Sequence, residues 1–346
     1  MTELLANPWI ASLGVIIGCT VLIVGGETLV RGASKIAYAL GISPLIVGLT
    51  IVAVCTSAPE MAVSFAAAFK SHTAESAAII DVAMGNVVGS NICNILLILG
   101  LCAVIRPIKA SKELLKRDAP VCCATALLLC LAAILSSISS TNVPHLPQWF
   151  GAVLLLGFVL YTTWLVICSR KEQAVNATTE EAKQDKTKEP APKTSWLLAL
   201  VQIAVGLGAL VFGADLFVTS SVCIARSIGV SELVIGLTLV ALGTSLPELT
   251  VSAISTLRNQ ADFALGNVFG SNICNILLVL GGTLVLLPKG MPISGQTLHV
   301  DLPVMTLVTF VVAWFCYTGR KLVRWEGAVL LAGMLAYDYY LLALAH

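Results

Sequence analysis

GLTIVAVCTSAPEMAVS at residues 48–64 returns as GLTLVALGTSLPELTVS at 236–252. A second pair follows each copy: GNVVGSNICNILLILG at 85–100 and GNVFGSNICNILLVLG at 266–281. Weaker echoes keep the same order. Gly26-Glu27 precedes the first pair as Ala214-Asp215 precedes the second. Asp118-Ala119-Pro120 answers to Asp301-Leu302-Pro303, and Trp149-Phe150-Gly151-Ala152 to Trp325-Glu326-Gly327-Ala328. Similarity of this extent means one structural unit used twice. It divides the chain into a first half at 1–168, a linker at 169–195 and a second half at 196–346.

Each unit is built for a bilayer. Only 11% of the 346 residues are charged and 58% are hydrophobic, against about a quarter charged in soluble domains. Mean hydropathy is +0.94, and apolar windows recur at the length a membrane helix needs. They fall near 8–38, 44–69, 79–104, 119–137, 149–168, 196–227, 233–257, 263–287, 302–318 and 325–344. The expected fold is therefore an all-α polytopic membrane protein of ten transmembrane helices. The first apolar run follows a short segment without a basic residue, so it reads as a retained helix, not a cleaved leader. The linker is rich in charge, Thr and Pro, and reads as a solvated loop.

The basic residues orient the chain. With the N-terminus outside, only Lys70, Arg226 and Lys289 fall in outside loops, and every other Lys and Arg lies inside. Five spans per unit is an odd number, so the second unit enters from the opposite side. The result is two inverted five-helix repeats, an architecture of alternating-access transporters. Both termini are expected outside (periplasmic) and the 169–195 linker in the cytoplasm.

The most polar stretches of the apolar runs are the repeated motifs. Thr56-Ser57-Ala58-Pro59-Glu60 interrupts the second span, and Thr244-Ser245-Leu246-Pro247-Glu248 the seventh. Proline removes a helical N–H and clashes with an earlier carbonyl, so each helix is expected to kink. The kinks are expected to free the carbonyls of Ala53 and Ala241. Glu60 and Glu248 are the acids nearest mid-membrane, where a carboxylate costs about 2.5–3.5 kcal/mol. A divalent cation between them cancels both charges, and hydroxyls, amides and carbonyls complete the six to eight hard oxygens that Ca2+ takes. In the third and eighth spans, Ser90 and Asn94, like Ser271 and Asn275, lie four apart on one helical face. Taken singly, these Gly, Ser and Asn residues serve equally well as interhelical glue.

Other polar groups read more plainly. The 11 cysteines show no zinc-ligand spacing and read as small buried residues. His72, His145, His299 and His346 fall in loops or at the end, so no soft-metal site is expected. Glu27 and Asp215 sit near membrane edges and read as structural hydrogen-bonding groups. Asp118 and Asp301 read as helix N-caps before Pro, and Glu326 and Asp338 have no matching acid in the other repeat.

These paired motifs resemble the alpha-repeats of the cation/Ca2+ exchanger superfamily, in particular the sodium/calcium exchanger type of bacterial inner membranes. The resemblance covers all ten spans. It implies a cluster of four ion sites at mid-membrane, built by broken helices 2, 3, 7 and 8, and gating by sliding of the long first and sixth helices. Carried over by motif, the ligands are Ala53, Thr56, Ser57, Glu60, Ser90 and Asn94, with Ala241, Thr244, Ser245, Glu248, Ser271 and Asn275. Many relatives carry Asp where this chain has Asn275, which leaves two acids in the site. The linker is too short for the calcium-sensing domains of animal relatives, so no regulatory Ca2+ site is expected there.

The resulting expectation is secondary antiport of Ca2+ against Na+, with no cofactor. The partners are small inorganic cations and membrane lipid, with no nucleic acid and no obligatory protein. Exchange of H+ for Ca2+, or a K+-dependent variant, uses the same two glutamates and is the nearest rival. An intramembrane enzyme would need unlike acid and base groups, whereas the two acids share one Thr-Ser-x-Pro-Glu context. A receptor or scaffold has no use for a duplicated acidic kink.

Overall fold

The computed structural model describes residues 8–40, 42–71, 77–139, 143–181, 196–228 and 241–344. They are overwhelmingly helical. The first half holds α1 (Pro8–Leu40), α2 (Leu45–Thr56), α3 (Ala58–Ser71), α4 (Asp81–Ile105), α5 (Leu114–Ile138) and α6 (Gln148–Glu181). The second holds α7 (Trp196–Ser227), a short helix at Ala241–Gly243, α8 (Leu246–Leu257), α9 (Ala261–Val285), α10 (Thr297–Gly319) and α11 (Arg324–Leu344). Among the described residues, seven helices are long and apolar enough to cross a membrane, and α2 with α3 makes an eighth candidate, bent by 44°. The expected seventh span begins among residues outside the described set. The helix of the expected tenth span, α11, is long enough but less apolar, since it carries Arg324, Glu326 and Asp338.

Among the described residues, four two-residue strands tie the halves together. β1 (Ile108–Lys109) pairs antiparallel with β4 (Lys321–Leu322), and β2 (His145–Leu146) with β3 (Met291–Pro292). Each pair joins one half to the other, and the two pairs occupy equivalent places in the repeat. Helix packing follows the same exchange. A Cβ on Gly151 of α6 would lie 2.6 Å from the Gly281 carbonyl oxygen of α9, and one on Gly327 of α11 would lie 2.7 Å from that of Gly100 in α4. Only glycine permits backbones to approach so closely.

The apolar interior falls into two clusters. The larger is built on α4, α5, α6, α9, α10 and α11. The smaller joins α1 and α7, with Val47, Val52, Val251 and Phe263 beneath them. α1 and α7 run 33 and 32 residues and interlock through glycines. A Cβ on Gly206 would fall 2.6 Å from the Leu29 nitrogen, and one on Gly18 would fall 2.8 Å from that of Phe217.

Several expectations are corrected. Spans 3 and 8 are not broken. α4 and α9 run through and widen into π-turns at Asn94–Leu99 and Asn275–Leu280. Neither stretch contains a proline, so no N–H is lost, and an extra residue is absorbed in place of a break. The linker is not a loop from its start, because α6 continues to Glu181. Its Glu, Ala, Lys and Gln residues are good helix formers. Arg31 and Lys35, counted above among the basic residues on the inside, lie on α1 itself. Asp118 and Asp301 are not N-caps. Both have turned into π-helical backbone, and Asp301 makes no capping bond. Their carboxylates instead accept from the Tyr161 hydroxyl at 3.2 Å and the Tyr337 hydroxyl at 3.0 Å.

Candidate functional site

The two acidic motifs meet at the centre of the bundle. Pro59 sits in the first turn of α3 and Pro247 in the first turn of α8, a position where a proline needs no intrahelical N–H. The chain therefore turns at Ser57, and again at Thr244 and Ser245, before each helix restarts. The restart places Glu60 and Glu248 in the first turn of α3 and α8, where helix N-termini favour negative charge. Both are sealed from solvent, with Glu60 1% and Glu248 0% exposed.

Hydroxyls from both halves address these carboxylates. Ser57 donates to Glu248 Oε1 at 3.2 Å, and Ser90 of α4 donates to Glu60 Oε1 at 3.1 Å. The Thr244 hydroxyl also faces Glu60, and the two carboxylates are within Coulombic reach of one another. Ser90 and Ser245 lie 3.3 Å apart. Thr56 donates to Asn267 Oδ1 at 3.2 Å and lies 3.4 Å from the Ser271 hydroxyl.

The close approach of α9 makes this possible. A Cβ on Gly270 would lie 2.7 Å from the Leu49 Cα and 2.8 Å from the Ala53 Cβ, and one on Gly266 2.6 Å from the Leu45 oxygen. On the far side an amide network locks α4 to α9. Asn94 donates to Asn272 Oδ1 at 2.9 Å, Asn275 to Asn91 Oδ1 at 3.3 Å, and Asn272 to the Asn91 carbonyl at 3.3 Å.

One set of atoms stands out from this satisfied network. Glu60 Oε2, Glu248 Oε2, Asn94 Oδ1 and Asn275 Oδ1 are all buried and accept no hydrogen bond. Native interiors rarely leave such groups unpaired. Here two are carboxylate and two are amide oxygens, one of each per repeat. All four are hard oxygen donors, the chemistry of alkali and alkaline-earth cations. Among the described residues no three His, Cys, Asp or Glu side chains gather as a metal centre.

Nine of the twelve expected residues thus fall on the α2–α3, α4, α8 and α9 segments that converge here, and Thr244 and Ser245 form the turn that leads into α8. The twelfth, Ala241, opens the short helix one turn before Thr244. The reasoning about Ala53 is corrected. Its carbonyl accepts the Ser57 N–H at 3.0 Å and the Thr56 hydroxyl at 3.4 Å. Proline 59 withdraws the N–H that would have reached Cys55, so the kink does not orphan Ala53.

Sequence reasoning missed the supports behind the ligand candidates. Asn86 donates to the Glu60 carbonyl at 3.1 Å and to Ser64 at 2.9 Å. Asn267 does the same for the Glu248 carbonyl at 3.4 Å and Ser252 at 3.0 Å. Each clamps an acid-bearing helix to its neighbour. Their signal was present, since Asn86 and Asn267, and Ser64 and Ser252, occupy matching positions of the repeat. Glu27, taken as a structural group, is engaged by Arg31 and by Arg258 of the other half.

Known proteins bear on this arrangement. The profile described as sodium/calcium exchanger protein matches residues 10–167 and 198–343. CaxA of Alkalimonas amylolytica is 37% identical over 96% of this chain and 98% of its own. The sodium/calcium exchanger MaX1 of Methanosarcina acetivorans is 31% identical over 93% and 95%. A solved structure of the sodium-calcium exchanger NCX_Mj, soaked with Na+ and Sr2+, superposes with a TM-score of 0.75 at 30% identity, covering 98% of this chain and 99% of that one. With likeness running through both halves, the chain belongs to the sodium/calcium exchanger family, within the cation/Ca2+ exchanger superfamily.

Proposed function

We propose that this protein is a secondary antiporter that exchanges Ca2+ for Na+ across the membrane by alternating access. The four unpartnered buried oxygens of Glu60, Glu248, Asn94 and Asn275 carry this reading. They form a donor set for which a desolvated cation is the natural partner. Glu60 and Glu248 supply the charge, and Asn94 and Asn275 supply neutral oxygens on the facing helices. Thr56, Ser57, Ser90, Thr244, Ser245 and Ser271, with the carbonyl of Ala241, are the further oxygens that replace water around the ion.

The frame for this is ten transmembrane helices in two inverted five-helix repeats, 1–168 and 196–346, with the 169–195 linker cytoplasmic and both termini outside. The exchanged pairing of β1 with β4 and β2 with β3 supports it. Two ionised carboxylates in a pocket shut from water repel each other, so the empty site resists closure. A divalent ion or several monovalent ions neutralise it and permit the switch. Competition for the same oxygens then makes the process exchange and not leak. The family resemblance of MaX1 and NCX_Mj, both named as sodium/calcium exchangers, favours Na+ over H+ as the counter-ion.

The test is Ca2+ uptake by proteoliposomes of the purified full chain under separately imposed Na+ and pH gradients. Uptake is expected with the Na+ gradient alone. Uptake with the pH gradient alone would transfer the same site to H+ exchange, and Ca2+ transport unaffected by either would refute antiport.

A further inference from the structure

The four amides between α4 and α9 run in two chains, each with a fixed direction. In one, Asn272 donates its Nδ2 to the Asn91 carbonyl at 3.3 Å, and its Oδ1 accepts from Asn94 Nδ2 at 2.9 Å. In the other, Asn91 donates its Nδ2 to the Met305 sulfur of α10 at 3.6 Å, and its Oδ1 accepts from Asn275 Nδ2 at 3.3 Å. Asn94 Oδ1 and Asn275 Oδ1 end the chains, buried and with no donor among the described residues. All four amides and Met305 are sealed from solvent.

An amide side chain has two ends of nearly equal size. Turning it over about Cβ–Cγ replaces an acceptor oxygen with an amino group that carries two donors. At a cation site the oxygen attracts and the amino group repels. Asn94 and Asn275 therefore serve an ion in only one of two orientations, and shape does not select it. The group behind each amide does. Each chain begins on an atom that accepts and never donates, a main-chain carbonyl in one and a thioether in the other. That atom decides which end of the first amide faces it, and the first amide decides the second in turn. Both chains thus deliver oxygen at the far end.

We infer that Asn91, Asn272 and Met305 are positioning residues, which hold Asn94 and Asn275 with oxygen and not nitrogen toward the ion. This rests on the antiport site proposed above and adds what fixes the polarity of its two neutral donors. The two chains are unequal in strength. A carbonyl is a full acceptor and a thioether sulfur a weak one. Position 122, which matches Met305 in the repeat that pairs Asp118 with Asp301, is Cys, and Asn272 turns to the Asn91 carbonyl instead. Asn275 is thus the less firmly held amide, and its orientation depends on Met305, a member of the apolar interior and not an ion ligand.

The experiment is equilibrium binding of 45Ca2+ to the purified full chain in detergent, which does not require transport. Met305→Leu keeps volume and apolar character and removes the sulfur. The Thr309 hydroxyl bonds to the main-chain oxygen of Met305 and is unaffected. Asn91 then has no acceptor to hold its Nδ2, Asn275 turns over in part of the molecules, and the apparent Kd for Ca2+ is expected to rise about threefold. Met305→Ile, of different shape, is expected to give the same factor. In an Asn275→Asp background the result changes, because a carboxylate presents oxygen whichever way it turns. Adding Met305→Leu to Asn275→Asp is expected to leave the Kd of that protein unchanged. Equal Kd values for wild type and Met305→Leu overturn the inference. So does a threefold loss that recurs in the Asn275→Asp background, which would mark a packing effect. If the variants bind alike while proteoliposomes exchange Ca2+ for Na+, the orientation falls and the antiport reading stands. If binding changes as expected without exchange, the reverse holds.

Discussion

Ser57 donates to the Glu248 carboxylate at 3.2 Å although 191 positions separate them. The residue that turns the chain in one half thus holds the acid of the other. A hydrogen bond to a charged group contributes about 1.5–3 kcal/mol. Ser57→Ala is expected to raise the Ca2+ concentration for half-maximal exchange about tenfold, at the lower end of that range. It is also expected to leave the fold intact, because alanine keeps the Cβ and removes a single oxygen atom. Initial rates of 45Ca2+ uptake in proteoliposomes measure it, and an unchanged half-saturation value would remove Ser57 from the site.

The two carboxylates should govern how ions stabilise the protein. A ligand that binds only the folded state adds about 2.7 kcal/mol at a hundredfold excess over its Kd. Wild-type protein in detergent is expected to show a Ca2+-dependent rise in its unfolding temperature. Glu60→Gln and Glu248→Gln are each expected to abolish that rise and Ca2+-dependent 22Na+ flux with it. Ion-free, both variants should unfold at or above the wild-type temperature, since each removes a buried charge from a repelling pair. A Glu60→Gln protein that still gains stability from Ca2+ would place the ion elsewhere.

How much of this was legible in the chain depends on range. The kinks at Ser57 and Ser245 followed from Pro59 and Pro247 alone, because proline acts on its own backbone. The meeting of Glu60 with Glu248 followed from the repeat, since two inverted copies bring matched positions to a common axis. What escaped was set by neighbours far along the sequence. Nothing local in Asp301 announces Tyr337, and nothing in Asn267 announces Thr56, 211 positions away. The π-turns at Asn94 and Asn275 were equally hidden, because they add a residue to a helix without changing its apolar pattern.

Close packing of α9 on α2 carries a sharp prediction for its glycines. Gly270→Ala would drive a methyl group to 2.7 Å from the Leu49 Cα, which is backbone and cannot swing aside. Overpacking of this kind costs about 1–3 kcal/mol, so the unfolding temperature in detergent is expected to fall and ion binding to weaken with it. Gly157→Ala is the control. Its new methyl group would meet only the two Leu277 methyl groups, at an ordinary 3.6 and 3.9 Å, and no loss is expected.

The paired tyrosines offer a comparison within one molecule. Asp118 receives Tyr161 at 3.2 Å, but Arg117 also reaches it twice, at 2.9 and 3.1 Å. Asp301 receives Tyr337 at 3.0 Å, and position 300, which matches Arg117 in the repeat, is a valine. Leaving a buried acceptor without its donor costs about 1–3 kcal/mol. Tyr337→Phe is therefore expected to lower the unfolding temperature more than Tyr161→Phe, because only the first takes away a donor that no arginine at the neighbouring position can replace. Val300→Arg, in the Tyr337→Phe background, is expected to recover part of the loss if the guanidinium reaches Asp301 as Arg117 reaches Asp118. Thermal unfolding of the four proteins in one detergent decides the matter, and equal losses for the two tyrosines would mean that neither hydroxyl contributes through its carboxylate.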